Sequence, residues 1–108
     1  MRNGNSNKTI LDRYLDHEGR VKIWPSKRTK QQMIAGYMTR GFTPGVRYTE
    51  KQVNAIIDEL HTFGDYAILR RTLCDEGLLE RSPDGSAYWL TGKGKTEREA
   101  VLALPDIV

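Results

Sequence analysis

The side chains best placed to do chemistry are cationic, and they are concentrated in one stretch. Residues 20–51 carry eight lysines and arginines against one carboxylate, Glu50, a net charge of +7. Residues 52–108 carry six basic and ten acidic side chains, a net charge of −4. Phosphate contacts supply most non-specific affinity for nucleic acids, so the basic stretch predicts polyanion binding. A charged surface that only keeps the protein soluble would have the same composition.

Three of these cations fall in the first turn of a predicted helix. Ser26 is a good N-cap, which places Lys27, Arg28 and Lys30 at the positive end of the helix dipole. Cations are unfavourable there, whereas free N–H groups and basic side chains together suit a phosphate. Solvated surface charge is the alternative. Arg47, in a short predicted strand, is a further candidate for phosphate binding.

Residue patterns for catalysis and for metal binding are missing. The sequence has no Ser-His-Asp order with elbow glycines, no glycine-rich phosphate loop and no metal-ligand spacing. Adjacent carboxylates such as Asp75-Glu76 point about 100° apart on a helix and cannot share a substrate. Cys74 is the only cysteine, which excludes an internal disulfide. We therefore predict a binding module, without catalytic residues, metal or cofactor.

Residues 65–91 predict a helix followed by a hairpin. Tyr66, Leu69 and Leu73 share one helix face, and Gly77 is suited to end the helix. Residues 78–81 and 87–90 read as two strands joined by the turn Ser82-Pro83-Asp84-Gly85. A helix closed in this way and followed by a hairpin is typical of the second half of a winged helix-turn-helix.

The preceding elements fit the same α+β fold, a three-helix core with a small antiparallel wing. A helix from Ser26 should end at Arg40-Gly41, and residues 46–48 read as a short strand. Thr49 and Gln52 form a predicted capping box, which opens a helix with an apolar stripe.

The predicted organisation is a single domain. Residues 1–7 should be disordered, residues 8–91 should form the winged-helix-like domain, and residues 92–108 should be a tail or a short helix near residues 96–104. A short helix should run from Lys8 to about Glu18, followed by a half-buried extended segment at residues 20–24. No stretch reaches the ~18 apolar residues of a membrane span, so we expect a cytoplasmic protein.

Residues 24–89 resemble a bacterial domain family of unknown function, which occurs alone or appended to helix-turn-helix regulators of the arsenic-repressor type. The resemblance implies a winged-helix-like domain and an association with transcriptional control, but no assigned catalytic or binding residue. The matching pieces are Trp24-Pro25, residues 48–54, 65–67, 69–71 and 77–81, Gly85, and Tyr88-Trp89.

In a DNA-binding winged helix, residues 65–76 would be the recognition helix. A helical wheel places Arg71 opposite the core, as a candidate contact to double-stranded DNA, and Arg70 at its edge, as a structural ion pair with Asp65 or Glu59. This helix has a net charge of −1, which favours the alternative of a protein-interaction module that binds a protein partner or a second copy. Trp24 and Trp89 could stack on nucleobases or fill the core.

Overall fold

A computed structural model describes residues 10–104 and has an α+β fold, as predicted. Its regular elements are the helices α1 (Arg28–Met38), α2 (Glu50–Leu60), α3 (Tyr66–Asp75) and α4 (Gly92–Leu102), and the strands β1 (Leu79–Arg81) and β2 (Tyr88–Leu90). A 3-10 turn, Thr39–Gly41, follows α1. The strands form an antiparallel hairpin that pairs Leu79 with Leu90, Glu80 with Trp89 and Arg81 with Tyr88.

The N-terminal part of the domain is less helical than expected. Residues 10–12 are helical, and the predicted start at Lys8 lies outside the described residues. The helix does not continue to Glu18, because the chain turns back so that Leu15 bridges Val21. Val21 also bridges His61, and its N–H donates to the Leu60 carbonyl at 2.8 Å. The extended segment that was predicted here therefore contributes one bridging residue.

Helix α1 begins later than its sequence suggests, and the prediction of Ser26 as N-cap is wrong. Lys27 occupies the N-cap position and makes no capping side-chain hydrogen bond. The Gln31 side-chain amide donates to the Pro25 carbonyl at 2.8 Å, which holds the preceding chain in an extended path. The first turn of α1 has neither a side-chain cap nor an acidic residue, so nothing in it offsets the positive end of the helix dipole.

The predicted capping box of α2 is confirmed. The Gln52 N–H donates to Thr49 Oγ1 at 3.1 Å, and the Thr49 N–H donates to Gln52 Oε1 at 2.8 Å. Two such reciprocal bonds satisfy N–H groups that no helical carbonyl reaches. Val53 and Ile57 from the predicted stripe are fully buried.

Helix α3 confirms two of its three predicted core positions. Leu69 and Leu73 are buried, whereas Tyr66 is 39% exposed and was wrongly placed in the core. Tyr66 is the first residue of α3, and the guanidinium of Arg70 lies 5.9 Å from its ring centroid. The helix ends before Gly77, whose φ of 74° is the left-handed conformation that glycine tolerates.

The third strand of the predicted small sheet is reduced to a single residue pair. Tyr48 and Tyr88 exchange both backbone hydrogen bonds at 2.8 Å, while Val46 and Arg47 make no ladder. This bridge ties the loop before α2 to the hairpin.

Helix α4 starts at Gly92, four residues before the predicted start, because Thr91 caps it. Thr91 Oγ1 accepts from the Gly94 N–H at 2.9 Å, and the helix packs against α1 and the 3-10 turn. The shared core is formed by Leu11, Leu15, Val21, Ile34, Ala35, Tyr37, Met38, Phe42, Val53, Ile57, Leu69, Leu73, Leu78, Leu79, Tyr88 and Leu90. None of the helices in residues 10–104 is long and apolar enough to cross a membrane.

Candidate nucleic-acid interface

A cleft of about 440 Å³ lies between α3 and the hairpin, and three arginines line it. We call it the arginine cleft. Three guanidinium groups and one carboxylate, Asp75, line it, and a second carboxylate, Glu50, accepts a hydrogen bond from the lining residue Tyr88. The lining residues are Arg70, Arg71, Cys74, Asp75, Arg81 and Tyr88.

Arg70 is the anchored member of the cleft. Its guanidinium donates to Asn54 Oδ1 on α2 and lies over the Tyr66 ring. The predicted ion pair with Asp65 is not formed within the described part of the chain. Asp65 instead accepts from the Ile68 N–H at 3.2 Å and caps α3, so its carboxylate is held at the start of its own helix. Arg70 therefore contacts Asn54 and Tyr66 in place of the predicted carboxylate.

Arg71 and Arg81 are the accessible members. Both are exposed, and neither makes a salt bridge in residues 10–104. The pKa of the Arg81 guanidinium is raised, mainly by its hydrogen bond to the Tyr88 hydroxyl. That hydroxyl donates to Glu50 Oε1 at 3.0 Å, which places Tyr88 at the back of the cleft.

Arg81 is the functional candidate that sequence reasoning missed. In the sequence it falls at the end of the first predicted strand, residues 78–81, apart from the arginines of α3. The signal was available in the strand alternation, because Arg81 lies two residues after buried Leu79 and therefore on the same face of the hairpin. Its cross-strand neighbour on that face is Tyr88.

Most of the acidic charge on α3 is directed away from the cleft. Glu76 at the end of α3 contacts α1, where its carboxylate lies 3.4 Å from Arg28 Nη2 and accepts from Gln32 Nε2 at 3.1 Å. Asp65 caps the opposite end. Asp75 is therefore the one acidic side chain of this helix among the residues that line the cleft.

The basic first turn of α1 does not converge on one point. Arg28 is directed to Glu76, and Lys30 lines a groove between α1 and α4 together with Glu97. Lys27 is exposed at the N-cap. The anion cradle that the sequence suggested for Lys27, Arg28 and Lys30 is thus divided between different surroundings.

Arg47 lies on the other face of the hairpin, in contact with Trp89. Its guanidinium carbon is 4.2 Å from the centroid of the indole ring. Together with Gly45, Leu90 and Lys95, these residues line a hollow of about 300 Å³, the Arg47–Trp89 hollow. Trp24 packs against the core, whereas Trp89 is half-buried and is not among the residues packed there.

Comparison with known families gives one match. A family model described as an uncharacterized protein conserved in bacteria, DUF2087, matches residues 20–90. The chain belongs to this family. No curated protein and no solved structure matches the chain. The DUF2087 segment includes every residue of the arginine cleft, and also Arg47 and Trp89 of the hollow, while Lys95 lies beyond it.

Reactive and metal-binding side-chain types also occur in this DUF2087 domain. Burial is the main cause that raises the pKa of the Cys74 thiol, which keeps the cysteine protonated and unreactive at neutral pH. Within the described residues, no three His, Cys, Asp or Glu side chains are grouped as a metal site. The guanidinium groups of the arginine cleft and of the Arg47–Trp89 hollow are donors of the kind that can bind phosphate oxygens.

Proposed function

We propose that this domain binds nucleic acid through backbone phosphates, with Arg71 and Arg81 of the arginine cleft as the principal contacts. The observation that carries the proposal is the convergence of three guanidinium groups on one cleft, two of them exposed and without a salt bridge in the described residues. A guanidinium offers a rigid fork of N–H donors that matches phosphate oxygens.

The order of elements supports a transcription-related role. Three helices followed by a hairpin are compatible with a winged helix-turn-helix, in which α3 would be the recognition helix and the hairpin would be the wing. The arginine cleft lies where these two elements meet. On a duplex, a winged helix brings the same two elements to the groove and to the adjoining backbone.

The salt dependence of duplex binding tests the proposal. Each phosphate contact contributes about −0.9 to the slope of log K against log salt concentration on B-DNA. We expect wild-type protein to bind random-sequence duplex DNA at micromolar concentration. Replacing Arg71 and Arg81 together by alanine should make the slope less steep by about 1.8, measured by fluorescence anisotropy between about 50 and 200 mM salt.

Arg13→Ala is the matched control, because Arg13 is also exposed and makes no salt bridge in residues 10–104, but lies outside both sites. It should change neither the slope nor the affinity. An unchanged slope in the double cleft variant, or no binding by the wild type at low salt, would exclude the cleft as a phosphate site. Arg70 is left unchanged because its loss would strand Asn54.

A second candidate function, recognition of a protein partner, is favoured by the start of α3. Tyr66 and Ile68, in the first turn of α3, are 39% and 36% exposed, and Ala67 between them is exposed as well. Exposed aromatic and aliphatic residues on one helical turn are typical anchors of protein interfaces. Size-exclusion chromatography with light scattering tests a second copy as the partner. A dimer that dissociates in the Ile68→Glu variant would support this function, and a monomer at all concentrations would count against self-association.

A further inference from the structure

We infer that the Arg47–Trp89 hollow binds an unpaired nucleotide of a nucleic-acid strand. The base would stack on the guanidinium of Arg47, and its phosphate would be bound by Lys95 and by the edge of the same guanidinium. Through this site the domain would bind single-stranded or frayed nucleic acid, in addition to the duplex contact proposed for the arginine cleft.

The first argument is the position of Trp89. Its neighbours Tyr88 and Leu90 point into the core and are buried, so the strand alternation turns Trp89 to the opposite face of the hairpin. The indole is half-buried without joining the core, and the residue stacked on it is a cation. A large aromatic side chain that serves the core would be expected to pack against the core residues, as Trp24 does.

The second argument is the availability of charge. Neither Arg47 nor Lys95 makes a salt bridge or a side-chain hydrogen bond in residues 10–104. The carboxylate nearest in the hairpin register is Glu80, which is paired with Trp89 and exposed on that face. Two cations without carboxylate partners at one hollow are suited to an anionic group.

The third argument is shape. The Arg47 guanidinium carbon lies over the indole ring, and the Arg47 side chain is exposed. Proteins bind splayed-out bases on arginine guanidinium planes. The hollow of about 300 Å³ has the size of a small ligand site, at the lower end of the usual range. A base inside a duplex is already stacked on its neighbours, which is why the geometry points to an unpaired one.

This inference is separable from the proposed function, because the two sites use different residues on opposite faces of the hairpin. A strand that lies across the wing would reach both. A duplex without free ends would reach the arginine cleft alone.

The fluorescence of Trp89 gives a direct test. Trp24 and Trp89 are the two tryptophans of the chain, so the Trp24→Phe variant reports on Trp89 alone. We expect an oligothymidylate strand to quench this fluorescence with a saturable midpoint, and a closed hairpin duplex to leave it unchanged. Adenosine monophosphate is a second probe, which separates a free nucleotide from a nucleotide within a strand, and either source agrees with the inference.

Arg47→Ala, made in the same Trp24→Phe background, should weaken binding of the oligothymidylate about tenfold, the loss expected for one stacked base. The midpoint is measured by Trp89 fluorescence and by anisotropy of the labelled strand, so that a change in indole environment is not mistaken for lost affinity. Lys95→Gln should weaken binding and lower its salt dependence. Arg13→Ala should do neither, and thermal melting verifies that each variant is folded.

Three results would overturn the inference. They are the absence of quenching by both the oligothymidylate and adenosine monophosphate, quenching by the closed duplex equal to that by the oligothymidylate, and an unchanged oligothymidylate midpoint in Arg47→Ala. The duplex titrations of the cleft variants are run on the same proteins. Duplex binding that depends on Arg71 and Arg81, without quenching of Trp89 by either single-stranded probe, would refute this site and leave the proposed function standing.

Discussion

Replacing Gly94 by alanine should destabilise the domain, although alanine is the better helix former. Gly94 lies in the first turn of α4, where the helix crosses the chain just before β1. A Cβ atom at this position would lie 2.2 Å from the Leu78 carbonyl oxygen and 3.0 Å from Leu90 Cδ2. The close approach of two backbones explains why a residue without a side chain is needed there.

The magnitude follows from how far the chain would have to move. A carbon and a carbonyl oxygen approach to about 3.3 Å, so the two backbones would have to separate by about 1 Å. The Leu78 carbonyl also accepts from the Thr91 N–H at 3.1 Å, so movement there strains the cap of α4. Overpacking of this kind costs about 1–3 kcal/mol, and the helix propensity of alanine returns at most about 1 kcal/mol. We expect a net loss of about 1–2 kcal/mol.

Urea unfolding followed by circular dichroism measures this loss, and two other glycines are matched controls. At Gly92, in the same turn, an added Cβ meets nothing within 4 Å. At Gly36, inside α1, it meets Glu97 Oε1 at 2.7 Å, the end of a flexible side chain that can swing away. Both alanine variants should be as stable as the wild type or up to about 1 kcal/mol more stable. A Gly94→Ala protein that matches them would refute the proposed contact.

Two other perturbations give predictions of stated sign. The pKa of Asp84 is lowered to about 2, mainly by the Ser82 hydroxyl and next by Ser86. The ionised carboxylate therefore stabilises the folded state fully above the ordinary pKa of about 3.9, and this stabilisation is lost as the pH falls towards 2. Asp84→Asn should therefore be less stable at neutral pH and lose less stability across that acid window, measured by urea unfolding at several pH values; an identical pH profile would contradict this. His61 is 3% exposed, with Nδ1 bonded to the Ile57 carbonyl at 2.7 Å and Nε2 accepting from the Asp65 N–H at 3.0 Å. His61→Leu should cost about 1–3 kcal/mol through these stranded groups, and a loss below the error of urea unfolding would count against it.

Local patterns predicted most of the fold. The Thr49–Gln52 capping box, the end of α3 at Gly77 and the hairpin after it each depend on residues within a few positions of one another. Expectations failed where a distant contact or an alternative hydrogen bond decided the outcome. Gln31 binds the carbonyl that precedes the predicted cap, so Ser26 is not the N-cap.

The arginine cleft and the Arg47–Trp89 hollow were only partly predictable, because each depends on strand register and on packing. Arg71 was identified from the helical wheel, and Arg47 from the charge of its segment. Arg81 lines the same cleft as Arg71, and its place there depends on its pairing with Tyr88 across the hairpin. Trp24 packs against the core and Trp89 does not, because different sides of the chain face the core at the two positions. Composition alone does not show which side faces the core.

The charge of α3 illustrates why a sum along the sequence misjudges a binding surface. In the predicted recognition helix, residues 65–76, two arginines against three carboxylates give −1, which argued against contact with phosphates. Glu76, however, contacts Arg28, 48 residues away in sequence, and Asp65 caps the helix start. Coulomb energy depends on distance and on exposure to solvent, so a phosphate in the arginine cleft would interact mainly with the nearby guanidinium groups, with Asp75, and with Glu50 behind Tyr88. The electrostatic interaction expected for a phosphate there therefore depends on where each charge is placed, and the net charge of the segment does not predict it.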